Sequence, residues 1–236
     1  MQAEYENTLL EQVEDLEQVN GFQQTETERR VEVKGKPLYR VIKRGFDIIA
    51  SILGLILLAP LFLVVAYLIK REDGGPVIFV QERTGKDNKP FKMYKFRTMC
   101  ENASEMHKFL LEQNELDGPA FKMKDDPRIT RIGKVLRRTS IDELPQLVNI
   151  LKGEMSVVGP RPLPVYETEQ MTEFQNTRHL VTPGLTCYWQ VMGRTEIPFE
   201  EWMELDQKYL EKRSVATDIG LIIMTFRALK AGDGAY

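Results

Sequence analysis

Between Ile48 and Ile69 the chain runs for 22 residues without a charge, and Pro60 lies inside that run. A straight helix of this length is about 33 Å long, enough to cross a hydrocarbon core of about 30 Å. A buried core helix is a weak account of so long an uncharged run. Proline, however, lacks a backbone donor and sterically opposes a straight helix. Lys43-Arg44 and Lys70-Arg71 flank the two ends, so the positive-charge rule picks no direction of insertion. Broken at Pro60, the arms are about 18 Å and 15 Å long, each too short to span. A re-entrant helix-break-helix over 48–69 satisfies both facts. Its two ends stay on one side, and the carbonyls freed near Ile56 need partners from protein or water. A kinked spanning helix fits the same residues.

Charge is unevenly placed around this segment. Residues 1–34 hold nine acids against three bases, and the rest of the chain holds 26 acids and 29 bases. The first 36 residues therefore read as an acidic, mostly solvated tail, with Leu9, Val13 and Leu16 able to line one face of a short helix. Residues 37–236 are long enough for one sizeable domain, and its slightly basic balance suits phospholipid or nucleotide phosphate. Cys100 and Cys187 show no pairing or ligand spacing and read as free thiols in a reducing compartment. The only histidines, His107 and His179, argue against a His-rich zinc site and a Ser-His-Asp hydrolase. No basic segment leads into an apolar core at the N-terminus, so no cleavable signal peptide is expected.

The fold class expected is α+β, mainly helical: the re-entrant pair, amphipathic interfacial helices and a small β-hairpin. Residues 77–80 and 91–97 form the hairpin strands around the turn-rich stretch 84–90. In the second strand Phe91, Met93, Lys95 and Arg97 share one face. Residues 104–116 are helical in pattern. Over 128–138, Ile129, Ile132, Val135 and Leu136 mark an apolar face set among Arg128, Arg131, Lys134, Arg137 and Arg138. Such a helix suits a lipid headgroup layer or packs its apolar side on the core. Leu144, Leu147, Val148 and Leu151 follow helical spacing, with Pro145 in the first turn and Gly153 as the stop. Val215, Ile219, Ile222, Ile223 and Phe226 mark a last apolar helix face, and Asp218 lies within that helix.

Asp142 and Glu143 stand side by side near the start of the 144–151 helix. Acids there ordinarily cap free N–H groups and complement the dipole. Ser140 with Glu143 has capping-box spacing, although Pro145 fits that register poorly. Arg137 and Arg138 precede the pair, and Arg161 follows in the rigid Gly159-Pro-Arg-Pro162 loop. Guanidinium forks match phosphate geometry, and so many of them exceed what a cap requires. One carboxylate could attack phosphorus while the other holds a divalent cation bridging phosphate oxygens. Basic groups and metal would neutralise the charge that keeps two anions apart.

Five segments occur in order: Lys95-Phe-Arg-Thr-Met99, Asp126-Pro-Arg-Ile-Thr130, Thr139-Ser-Ile-Asp-Glu-Leu-Pro-Gln-Leu147, Gly153-Glu-Met-Ser-Val-Val-Gly-Pro-Arg-Pro162 and Pro183-Gly-Leu-Thr186. Together they resemble the bacterial sugar transferase family, the monotopic polyprenyl-phosphate phosphoglycosyl transferases, over about residues 43–236. The C-terminal half, with Gly193-Arg194 and Gly232-Asp-Gly-Ala-Tyr236, is similar to the branch that starts exopolysaccharide or capsule units.

The resemblance implies transfer of sugar-1-phosphate from a UDP-sugar to undecaprenyl phosphate, with release of UMP, Mg²⁺ as cofactor and a covalent intermediate. It implies a bacterial inner-membrane protein with its catalytic domain on the cytoplasmic face, membrane lipid as a partner and no nucleic acid. Homo-oligomerisation and the identity of the sugar stay open. On this resemblance Asp142 is the nucleophile, Glu143 helps hold Mg²⁺, and Arg161 and Arg137 contact phosphate. Lys95, Arg97 and Asp218 join the substrate site, and Pro60 matches the family's helix break. Two departures stand out. Cys187 replaces a common glycine, and the spanning helices of the family's large branch have no counterpart ahead of this domain. A rival reading is a non-enzymatic membrane adaptor whose acidic tail recruits a partner, which would make Asp142 and Glu143 mere caps.

Overall fold

The structure, a computed structural model, describes residues 35–110, 123, 125–193 and 197–231. The acidic stretch 1–34, the second half of the expected 104–116 helix, Arg194 and the last five residues lie outside them. The described chain is mainly helical, with two small sheets. The uncharged run folds into helices α1 (Pro37–Leu57) and α2 (Ala59–Asp73), bent by 60°. No single described helix is long and apolar enough to cross a membrane, but this bent pair passes the test together.

The break sits at Leu58, two residues before Pro60, and the pair extends past both ends of the uncharged run, to Pro37 and to Asp73. The reason is local. Pro60 occupies the first turn of α2, where its missing N–H is needed by no carbonyl inside α2. The Ile56 carbonyl is taken up by backbone N–H at the break.

The polar flanks of the pair turn out to be structural. Arg44 Nη1 donates to the Ile150 carbonyl at 2.6 Å and Nη2 to that of Leu151 at 2.7 Å. The guanidinium thereby closes the C-terminal end of helix α5 (Gln146–Lys152), whose last carbonyls have no helical donor. Lys43 pairs with Asp218 at 2.7 Å. Asp47, buried just ahead of the apolar run, accepts from Ser156 Oγ at 3.0 Å and Val157 N at 2.9 Å. At the far end Glu72 accepts the Arg131 N–H at 2.8 Å. Both ends of the pair are thus fastened to one body, while Ile49, Leu53, Ile56, Leu57, Leu63 and Tyr67 face outward, each more than half exposed.

Strands β1 (Ile78–Thr84) and β2 (Pro90–Phe96) pair antiparallel, with Arg83 opposite Phe91 and Phe79 opposite Lys95. The strand alternation buries Phe91 and Met93 against Leu147, Ile150 and Met155. Phe96, on the opposite face, packs edge-on against Phe62 of α2 at 5.4 Å. Helix α3 (Ala103–Leu110) follows.

Helix α4 (Arg131–Arg138) starts at Thr130, whose hydroxyl accepts the Gly133 N–H. Arg128 lies outside it and pairs with Asp126 instead. Ile132 and Leu136 pack against Val65, Ile69 and Phe96, so the apolar side of α4 meets the core, while Val135 stays exposed.

Short parallel strands β3 (Ser156–Val158) and β4 (Gly184–Thr186) flank helices α6 (Val165–Thr168) and α7 (Glu173–Asn176). Helices α8 (Tyr188–Met192), α9 (Phe199–Lys212) and α10 (Val215–Ala231) complete the body. The apolar face marked on α10 divides, with Ile222 packed inward against the buried cluster around Val158 and Tyr209. Val215, Ile219, Ile223 and Phe226 are exposed, and Leu221 makes the inner contact with Val158, Tyr209 and Leu210.

Candidate active site

Asp142 and Glu143 lie on a 3-10 turn, Ile141–Glu143, that leads into α5. Ser140 enters the turn at φ 56°, a left-handed conformation unusual for serine. No side-chain cap forms at either Ser140 or Pro145, the residue that precedes α5. The capping explanation for the two acids therefore falls, and their side chains go elsewhere.

Glu143 is clamped. Lys95 Nζ donates to Oε1 at 2.8 Å, Arg161 Nη2 donates to the same oxygen at 2.5 Å, and Arg161 Nη1 reaches Oε2 at 3.3 Å. Burial opposes its ionisation, but Arg161 and Lys95 outweigh burial and hold the carboxyl well below the usual range. Asp142 differs. It is buried, and among the described residues its carboxylate has no hydrogen-bond partner. Burial and then the charge of Glu143 push it up to about 6, against Lys95, Arg137 and Arg161. Two adjacent acids thus have divided states, one locked in an ion pair and one free.

Each basic group is brought in by a different element. Lys95 comes from the face of β2 that also carries Phe91 and Met93, and burial pulls its ammonium pKa down. Arg137 sits in the last turn of α4, with Nε on Thr98 Oγ1 at 3.0 Å. Gly133 permits that approach, because a Cβ there would lie 2.1 Å from the Thr98 carbonyl oxygen.

Arg161 leaves β3 in the Gly-Pro-Arg-Pro loop. β4 crosses that loop so closely that a Cβ on Gly184 would sit 2.1 Å from the Gly159 nitrogen. The loop is held on its far side by Arg83, whose Nη1 donates to the Pro162 carbonyl at 3.0 Å. Arg83 is a site residue that sequence reasoning missed. Strand alternation offered a signal, since its register opposite Phe91 puts it on the Lys95 face. Asn149 was missed too. It accepts the Tyr94 N–H and donates to the Lys92 carbonyl, stitching α5 to β2.

The structure brings Lys95, Arg137, Asp142, Glu143 and Arg161 together but not the remaining candidates. Arg97 turns away to Asp73, with Nη1–Oδ2 at 2.5 Å and Nη2 on Oδ1, and its Nε donates to the Pro76 carbonyl. Asp218 accepts from Tyr39, Lys43 and Tyr209 and joins α10 to α1 and α9. Pro60 is in the apolar pair. Cys187 is fully buried, donates to Gln190 and has its thiol pushed up to about 12 by burial, so it packs the interior.

No group of three or more His, Cys, Asp or Glu that could hold a metal exists among the described residues. A carboxylate offers about four acceptor positions. Three of those on Glu143 are taken, which leaves room on Oε2, where the one contact is the longest. Mg²⁺ characteristically binds through one or two carboxylates together with substrate phosphates. The donor set fits an ion that arrives with a diphosphate, not a resident cage.

Three cations (Lys95, Arg137 and Arg161) act on the two carboxylates, and Arg83 braces the Arg161 loop behind them. The arrangement is a buried cluster of cations around two carboxylates, on a helical body that exposes a broad apolar face. The chain belongs to the bacterial sugar transferase family, whose model matches residues 38–232.

Among its relatives is the galactosyl transferase CpsE of Streptococcus agalactiae, 44% identical over 83% of this chain and 43% of that protein. An undecaprenyl-phosphate galactose phosphotransferase of Salmonella typhimurium is 40% identical over 84% of this chain and 42% of its own length. The exopolysaccharide production protein ExoY of Sinorhizobium fredii is 38% identical over 85% of this chain and 91% of its length. This chain thus spans about two fifths of the first two relatives and nearly all of the third.

Proposed function

We propose that this protein transfers sugar-1-phosphate from a UDP-sugar to undecaprenyl phosphate, giving undecaprenyl-diphospho-sugar and UMP. The observation that carries the reading is the divided pair: Glu143 is locked by Lys95 and Arg161, and Asp142 beside it has no hydrogen-bond partner among the described residues. An Asp142 oxygen attacks the sugar-proximal phosphorus, the bond from that phosphorus to the bridging oxygen breaks, and the oxygen leaves with the electron pair as part of UMP. The product is an acyl phosphate that carries the sugar. A phosphate oxygen of undecaprenyl phosphate then attacks the same phosphorus, and the electron pair returns to Asp142. Lys95, Arg137 and Arg161 lie where they can hold the phosphates and balance their charge. Mg²⁺, held by Glu143 with the donor's diphosphate, would neutralise phosphate charge when bound.

The apolar pair supports a position at a bilayer surface. With the bend pointing inward and the arms equally tilted, 60° leaves each arm about 30° from the membrane plane. At the helical rise the arms then descend about 16 Å and 11 Å, about the depth of one leaflet and far short of crossing a core about 30 Å thick. The fastening of both ends to one body supports re-entry over spanning. The reading places the protein at a bacterial cytoplasmic membrane with its site on the cytoplasmic face, next to lipid-borne acceptor.

The test is UMP release by purified protein over a panel of UDP-sugars with undecaprenyl phosphate and Mg²⁺. Asp142→Asn is expected to lower turnover by on the order of 10³ or more. Mass spectrometry is expected to find a phosphosugar on Asp142 when acceptor is withheld. Near-full turnover in Asp142→Asn, or an adduct on another side chain, would overturn the mechanism. Asp142-dependent UMP release would also exclude a purely adaptor role.

A further inference from the structure

Behind Arg161 lies a cluster outside the reacting groups. Of the ten buried side-chain polar atoms that lack a hydrogen-bond partner among the described residues, eight belong to Arg178, His179, Trp189, Trp202 and Asp206. Such concentration in a close-packed interior calls for an explanation. Arg178 and Asp206 are each 1% exposed. Arg178 Nη2 lies 2.8 Å from Asp206 Oδ2 without hydrogen-bond alignment, and the same nitrogen donates to the Arg161 carbonyl at 2.6 Å. Arg178 also stands over the Trp202 ring at 5.4 Å, Trp202 stacks on Trp189 at 4.3 Å, and Arg161 stands over Trp189 at 5.9 Å. The contacts close a circuit that grips Arg161 by its backbone oxygen and by the face beneath its guanidinium.

We infer that Arg178, anchored by Asp206, is a positioning residue that sets Arg161 against Glu143 through the Arg161 carbonyl and the Trp189–Trp202 stack. The inference rests on the proposed role of Arg161 as a phosphate-holding residue. Arg161 sits in a loop with no helix or strand of its own, so its direction must be set from outside. A buried charge pair is a poor source of net stability against apolar groups of similar volume, but it fixes geometry where a partner needs it. That combination accounts for the unsatisfied atoms of Arg178 and Asp206.

The test is a double-mutant cycle on UMP release. Removing one charge alone would strand the other, so the main variant is the paired apolar replacement R178M/D206L, with Arg178→Lys as the milder second variant. Each is measured in the native and in the Arg161→Lys background. Acting through Arg161, either variant is expected to lower kcat/KM at least tenfold in the native background and less than twofold beside Arg161→Lys. Equal losses in both backgrounds, or no loss, would overturn the inference.

The chain's only tryptophans are the stacked pair, so their emission gives a reading independent of turnover. UDP with Mg²⁺ is expected to produce a saturable change whose midpoint rises at least fivefold in Arg178→Lys. An unchanged midpoint would count against positioning. A native protein that neither releases UMP nor responds to UDP would overturn the proposed function and the inference together. Native behaviour that both variants match would overturn the inference alone.

Discussion

Two neighbouring basic residues, one in β2 and one just past its end, show how narrow the margin between positions can be. Lys95 and Arg97 are both basic and two apart, yet Lys95 meets Glu143 and Arg97 meets Asp73. β2 ends at Phe96, so alternation no longer orients Arg97, and its partner lies across a loop that no local pattern reveals. Asn149 carries a comparable burden. Asn149→Ala would leave the Tyr94 N–H and Lys92 carbonyl without their side-chain partners, at a cost of about 1–3 kcal/mol. A fall in the thermal midpoint, with far-UV circular dichroism unchanged at low temperature, would register it.

His179 gives a pH dependence of defined sign. Burial, and then the charge of Arg178, push it down to about 3, against about 6.5 in an unfolded chain. Its contribution to stability is complete above about pH 6.5 and is lost as pH falls through that value toward 3. The steepest slope for one such proton is about 1.4 kcal/mol per pH unit. Melting at pH 7.5 and pH 5.0 should show a drop that is smaller in His179→Gln. Identical drops would remove His179 from the account.

At the scale of elements, glycines separate close approach from open surface. Gly133 lets α4 touch the Thr98 carbonyl, whereas a Cβ on Gly220 of α10 meets nothing within 4 Å. Gly133→Ala should destabilise by about 1–3 kcal/mol through backbone displacement and loosen Arg137 from Thr98. Gly220→Ala should instead stabilise by up to about 1 kcal/mol through helix propensity. Denaturation of the two variants side by side checks both signs. The helix at 128–138 was legible from its period and its arginines. Its start was not, because Arg128 belongs to a local ion pair with Asp126 and Thr130 supplies the cap.

Over the whole molecule, topology is the open physical question with a direct answer. Arg40 and Gly74 lie on either side of the uncharged run and are both exposed. Single cysteines placed there, in a chain cleared of Cys100 and Cys187, should both react with an impermeant thiol reagent from the cytoplasmic side only. Labelling from opposite faces would refute re-entry. The basic residues flanking the run are poor guides here. Lys43 and Arg44 answer to Asp218 and to the end of α5 rather than to lipid.

Covalent pattern alone determined that the chain carries a broken apolar segment, a basic helix and two adjacent acids among arginines, since each is written in residues near one another. The surroundings of those acids, the turn of Arg97 to Asp73, the engagement of Asp218 with Tyr39, Lys43 and Tyr209, and the hold of Arg83 on the Arg161 loop were decided by packing. Each depends on a partner tens of residues away, as in the 18 positions between Glu143 and Arg161 or the 48 between Lys95 and Glu143. Charge and hydrogen-bond geometry act over a few ångströms of space, and only the folded chain says which distant groups come within that range.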